Sequence, residues 1–140
     1  MDAGEYMILA DPESGYFAVT NDANGEDIIF NGNFETNTII TVNDGEYCRL
    51  SDAIAVKIDE FYDLGYTIKT DADGIMIKVG NEIDAGEYLL EGEDGYYCIY
   101  SSSRQDDIIS NGRVEGSGYI EVQDGQYLKL NRCVIKEKTN

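Results

Sequence analysis

The pentapeptide Asp-Ala-Gly-Glu-Tyr occurs twice in the chain, at Asp2 to Tyr6 and again at Asp84 to Tyr88. Beyond it the halves keep matching. "GYFAVT" at Gly15 corresponds to "GYYCIY" at Gly95, "DIIFNG" at Asp27 to "DIISNG" at Asp107, and "TIITVNDGEYCRL" at Thr38 to "GYIEVQDGQYLKL" at Gly118, each 80 residues apart. The Asp-Ala-Gly-Glu-Tyr segments fall into line once a two-residue difference is allowed in the turn that follows. Self-similarity at one period is the signature of repeated structural units. The pattern predicts an internal duplication: a first unit over residues 1–58, a connecting segment with part of a hairpin over 59–74, and a second unit over 75–140.

Residues apolar in both copies give the strand phase, because side chains alternate across a strand. Phe17 and Val19 correspond to Tyr97 and Ile99, and both pairs are expected to face the core. The same rule turns Ile40, Val42, Cys48 and Leu50 inward, with Ile120, Val122, Leu128 and Leu130 as their counterparts. Pro12 is the only proline, glycine is frequent, and β-branched and tyrosine residues abound, as in strand-and-turn proteins. The fold class predicted is all-β: two tandem homologous antiparallel β-sandwich units, jelly-roll-like. Asp44-Gly45 and Asp124-Gly125 are expected to close tight hairpins. Further hairpins are expected through Gly92 to Gly95 and over Tyr66 to Gly80. "IDEFYDLG" from Ile58 has the makings of one or two helical turns. The second copy is preceded by "IMIKVGNEI", for which the first has no counterpart, so the first unit is expected to lack an opening strand.

The formal net charge is −18, with 28 acidic against 10 basic residues. That sign disfavours nucleic acid and anionic membrane surfaces and favours solubility, divalent cations or a basic partner. No apolar run approaches the roughly 20 residues of a membrane span, and no basic-then-apolar leader opens the sequence. The three cysteines, Cys48, Cys98 and Cys133, form no CxxC pair. Cys48 is expected in the core. Cys98 and Cys133, which align with Ala18 and Ala53, could be buried or bridged.

"KVGNEIDAGEYLL", "GYYCIYSSS", "DDIISNG" and "VQDGQYLKL" together resemble a repeated module of uncharacterised surface, secreted or lipoprotein-like proteins of Gram-positive bacteria. That module opens on "KVGxDIPAGEY" and continues to a "DGxYLKL" hairpin. The resemblance covers nearly the whole chain, once per copy. The chain departs from the pattern at Asp2 and Asp84, where the module often has proline, and in the missing opening strand. The resemblance implies an extracellular or cell-surface binding domain and no reaction.

Histidine is absent, which removes Ser-His and Cys-His nucleophile systems and the commonest zinc ligand. A carboxylate-dependent glycan hydrolase remains as the enzymatic alternative, since it needs only two acids across a cleft. No cofactor is predicted apart from calcium. "NDANGED" and "TDADG" place Asp22, Asn24 and Asp27, and Asp71 and Asp73, at alternating positions beside glycine, as hard-cation loops do. Such residues are also ordinary turn formers. Tyr96, Tyr100 and Tyr119 fall on the non-core phase. As strand neighbours they would form an aromatic patch for a sugar or protein partner, unless that face packs internally. Tyr47 and Tyr127 recur in both copies, which points to a structural role such as a hydrogen bond to a turn. The function expected is that of a non-enzymatic binding or structural module; a third possibility is an assembly module that pairs through an open strand edge.

Overall fold

The computed structural model describes residues 1–139, which divide into two compact units, Met1–Tyr66 and Thr67 onward. Among the described residues the fold is all-β, with three antiparallel sheets and one short helix.

In the first unit, β1 (Gly4–Ala10), β4 (Asn37–Val42) and β6 (Ala53–Lys57) form one sheet in the order β4-β1-β6. A second sheet has the order β3-β2-β5, from β2 (Gly15–Thr20), β3 (Ile28–Phe34) and β5 (Tyr47–Ser51). Period-two alternation supplies the core between them: Tyr6 and Ile8 from β1 and Ile40 and Val42 from β4 meet Phe17, Val19 and Phe34 of the other sheet. Phe17 packs edge-on against Phe30, ring centroids 5.5 Å apart. Helix α1 (Ile58–Asp63) follows β6 and buries Ile58 and Phe61, three residues apart on one face. Gly65 ends it at φ +89°: its N–H bonds Tyr62 O and that of Tyr66 bonds Phe61 O, the paired closure that a left-handed glycine permits.

The second unit carries β7 (Ile75–Lys78) and three long strands, β8 (Gly86–Tyr100), β9 (Ile108–Val122) and β10 (Tyr127–Lys138), in the order β7-β10-β8-β9. Each half of β8 repeats the pairings of the first unit. Phe17 faces Gly32 and Leu50, and Tyr97 faces Gly112 and Leu130; Tyr6 faces Ile40, and Tyr88 faces Ile120. β1 and β2 thus correspond to the two halves of one strand, β8. Both units are ribbons of three long strands with the first in the middle, bent at matching points.

The bends have a local cause. Asp94 and Arg132 hold φ of +53° and +55°, as Ser14 and Asp52 do in the first unit at +46° and +52°. Register shifts fall between Gly92 and Gly95 on β8 and between Asn131 and Cys133 on β10. A Cβ on Gly92 would lie 2.4 Å from the Arg132 carbonyl oxygen, so only glycine fits the crossing. The Arg132 guanidinium donates to Asp94 O at 2.7 Å and its N–H to Asp73 Oδ1 at 2.6 Å, which ties the bend together.

Four expected hairpins are therefore not hairpins. Gly92 to Gly95 is a bend within one strand. Asp44-Gly45 and Asp124-Gly125 do make tight turns, with Glu46 N–H on Asn43 O and Gln126 N–H on Gln123 O, and glycine φ of +83° and +86°. Yet β4 pairs with β1 and β5 with β2, so the first turn crosses from one sheet to the other, and β9 and β10 flank β8 on opposite sides, so the second turn also joins strands that are not neighbours. Over Tyr66 to Gly80 only Ile75–Lys78 is a strand, and it pairs with β10.

Candidate functional site

The two units differ most at one edge. β10 lies between β8 and β7: Tyr127 faces Lys78, Leu128 faces Ile77, Lys129 faces Met76 and Leu130 faces Ile75. Its counterpart β5 pairs with β2 on one side, and among the described residues no strand lies on the other. The difference shows in exposure. Leu128 and Leu130 are fully buried, whereas Cys48 and Leu50, at the same positions and also turned to the core, are half-buried. Tyr127 is 6 % exposed, with the Lys78 ammonium 5.7 Å from its ring centroid; Tyr47 is 47 % exposed. The tyrosine shared by both copies therefore has no shared surroundings.

Other exposed apolar residues do not behave this way. Ile28 and Ile29 of β3 are exposed, and so are their counterparts Ile108 and Ile109 of β9, so those positions belong to the common build.

The three tyrosines of the expected patch are not brought together. Tyr96 and Tyr100 lie on the second half of β8, whereas Tyr119 pairs with Leu89 of the first half, and the bend separates them. Tyr119 is 64 % exposed, Tyr96 is half-buried with its hydroxyl accepting Asn111 Nδ2 at 2.9 Å, and Tyr100 is buried. Burial, then a hydrogen bond with the Cys98 thiol, pushes the Tyr100 phenol well above its ordinary range. This outer face is buried because the loop after β8 folds back over it: Ser103 is buried and Gln105 Nε2 reaches Met76 Sδ at 3.6 Å. Sequence phase predicts only which face a residue takes, not that a loop covers that face.

The calcium reading is not supported. Among the described residues no three acidic, cysteine or histidine side chains group to hold a metal. Asp22 spends its carboxylate on its own loop, accepting the N–H groups of Glu26 at 3.0 Å and Asp27 at 2.9 Å, which hold its pKa below the ordinary range. Asp27 takes Asn21 Nδ2 at 2.9 Å, and the Asn24 carbonyl takes Arg49 Nη1 at 2.9 Å. The matching loop of the second unit closes alike without the acid at its centre: Ser101 Oγ donates to Asp107 at 2.6 Å. Asp73 accepts the Arg132 N–H of the bend, and Asp71 is exposed. These acids shape turns.

All three cysteines are free, so Cys98 and Cys133 are not bridged. Cys98 faces Lys129 on β10, while Cys133 faces Gly92 beyond the bend. Burial raises the Cys48 and Cys133 thiols above their ordinary range, the opposite of an activated nucleophile. It also lowers the Lys129 ammonium.

The hollows formed by the described residues include two. One, of about 490 Å³, is lined by Glu91, Gly92, Glu93, Gly116 and Ser117, with Glu91 committed to Lys136 Nζ at 2.8 Å. The other, of about 260 Å³, is lined by Leu9, Ile54, Val56, Phe61, Leu64 and Tyr66 and offers mainly apolar contact area, with the Tyr66 phenol as the one titratable side chain of its lining. No described helix is long and apolar enough to cross a membrane. Comparison of the chain with protein-family models, with curated proteins and with solved structures returns no match.

Proposed function

We propose that this chain is a non-enzymatic binding module, built by internal duplication, that takes hold of a partner protein by accepting an additional strand at β5. The single observation that carries the reading is the contrast between β10, sealed by β7, and β5, which has the same register and an open side. An open edge presents a row of unpaired backbone groups, and strand addition satisfies them while side-chain positions supply selectivity. Protein is favoured over carbohydrate because the aromatic patch a sugar would stack on is dispersed, with Tyr100 buried. The shared pairing pattern of the two units supports duplication. A place in a surface or secreted bacterial protein rests on the sequence resemblance.

The test is titration of an isotope-labelled chain with a peptide of the β7 sequence, Gly74 to Ile83, followed by amide shifts. Saturable shifts at Tyr47 to Ser51 are expected. A peptide that leaves those amides unmoved at millimolar concentration sinks the reading.

A further inference from the structure

The second unit also specifies what the open edge takes. This step rests on strand acceptance at β5 and adds the chemistry of the partner. Because pairings repeat at an offset of 80 residues across β2, β3 and β5, the β7–β10 pairing can be transferred onto β5 position by position.

In the second unit Ile75 and Ile77 face Leu130 and Leu128 on the inward side, and both are buried to 1 % exposure or less. Their places in the first unit lie beside Leu50 and Cys48, which are half-buried and already pack on the core. On the outer side Lys78 stands over Tyr127, and the equivalent ring, Tyr47, is exposed. Arg49 stands where Lys129 does, and its guanidinium already holds the Asn24 carbonyl at 2.9 Å. The second unit has Met76 at that position, facing Lys129 and fully buried beneath the loop after β8, whereas Arg49 is exposed, so in the first unit the position takes a small polar residue.

Charge decides between occupants. At −18, a second copy of this chain is repelled, and its own β7 is already paired with β10. We infer that the β5 edge binds an antiparallel strand of another protein, four residues long at its centre, reading apolar, small polar, apolar, basic, with the two apolar residues opposite Leu50 and Cys48 and the basic residue opposite Tyr47. The basic position meets the π-face of the tyrosine and the negative field of the whole chain together.

The experiment uses the full chain and three peptides of equal length carrying Ile-Ser-Ile-Lys, Ser-Ile-Lys-Ile or Ile-Ser-Ile-Glu at the centre, with affinities read from amide shifts at Tyr47 to Ser51. Ile-Ser-Ile-Lys is expected to bind tightest. Shifting the phase by one residue turns both isoleucines to the wrong face and is expected to cost about tenfold or more. Replacing Lys by Glu is expected to cost about two- to fivefold, and the Tyr47→Ala chain should lose that preference for lysine. Equal binding of all three peptides overturns the specified partner while leaving strand acceptance intact. Absence of shifts with every peptide, or shifts confined to other strands, overturns both. Sedimentation that finds a dimer disrupted by Tyr47→Ala makes a second copy the occupant and overturns the basic partner.

Discussion

The hydroxyl of Tyr88 donates to the carbonyl of Asp84 at 2.6 Å, and in the other unit Tyr6 makes the same bond to Asp2 at the same distance. This bond gives the tyrosine of Asp-Ala-Gly-Glu-Tyr the same role in both copies. The tyrosine ring, 4 % exposed at Tyr88 and 6 % at Tyr6, is a core residue whose polar tip reaches back to the residue that opens the strand. The structural role anticipated for Tyr47 and Tyr127 belongs to these two. Tyr88→Phe keeps the ring and strands the Asp84 carbonyl. It should destabilise by about 1 kcal/mol, measurable as a shift of the urea midpoint at unchanged slope.

Bend glycines and strand glycines should respond in opposite ways. Gly92→Ala drives a methyl against the Arg132 carbonyl and the Cys133 side chain, 2.4 and 2.7 Å away. It is expected to cost about 1–3 kcal/mol as an overpacked site. Gly118 has nothing within 4 Å of its Cβ position. Gly118→Ala should be neutral or stabilising by up to about 1 kcal/mol. Equal losses in thermal unfolding would show that the crossing at Arg132 does not decide where the ribbon bends.

Stability should fall in alkali. Cys48 and Cys133 have folded-state pKa values raised above 9.0, and Tyr100 above 10.0. A raised folded value means stability is complete below the unfolded pKa and is lost as pH climbs from it towards the folded one. Loss therefore begins near pH 9 for the thiols and near pH 10 for Tyr100. Lys129 acts against this: its folded value is lowered from 10.5, so the unfolded chain binds more protons and stability rises through that window. Tyr100→Phe should flatten the decline above pH 10 by up to about 1.4 kcal/mol per pH unit. Urea midpoints at pH 8, 9, 10 and 11 measure it.

Grafting the Gly74 to Ile83 sequence ahead of Asp2 supplies β5 with a tethered strand. The chain should melt several degrees higher, and the amides of Tyr47 to Leu50 should exchange more slowly with solvent. An unchanged midpoint with unchanged exchange counts against an edge that accepts strands.

Calcium and magnesium at equal millimolar concentration should raise the melting midpoint alike, by screening a charge of −18. Asp22→Ala should lower it, and should speed exchange at the Glu26 and Asp27 amides, whose acceptor it removes. A rise specific to calcium, lost with Asp22→Ala, would restore the loop as a metal site.

What was legible in the chain was periodic. Ile40, Val42, Leu128 and Leu130 alternate and are all buried, although Ile39 and Tyr127 on the opposite phase are buried too. The unmatched "IMIKVG" led directly to β7 and so to the open β5. Illegible was which strand each turn would serve. Asp124-Gly125 is locally a tight turn, but nothing in two residues says that the strands on either side will choose β8 as their common neighbour. Gly92 and Gly95 answer to Arg132, some 40 residues away, so a reading confined to neighbours makes them a hairpin. For Tyr100 the sequence left open an exposed patch or internal packing, and a covering loop, which the strand phase does not reveal, buries it.

The first of the three long strands lies in the middle of each ribbon, as β1 and its continuation β2 do in the first unit, and this sets a timetable for synthesis. β1 leaves the ribosome first, yet one flank stays open until Asn37–Val42 has emerged and the other until Ala53–Lys57 follows. Only β2 and β3, consecutive and paired, can form an early hairpin; β1 gains both flanks only when nearly the whole unit is outside, so the core closes late. Through that interval the growing chain carries apolar strands in the open, and its many carboxylates are what keep one nascent chain away from the next.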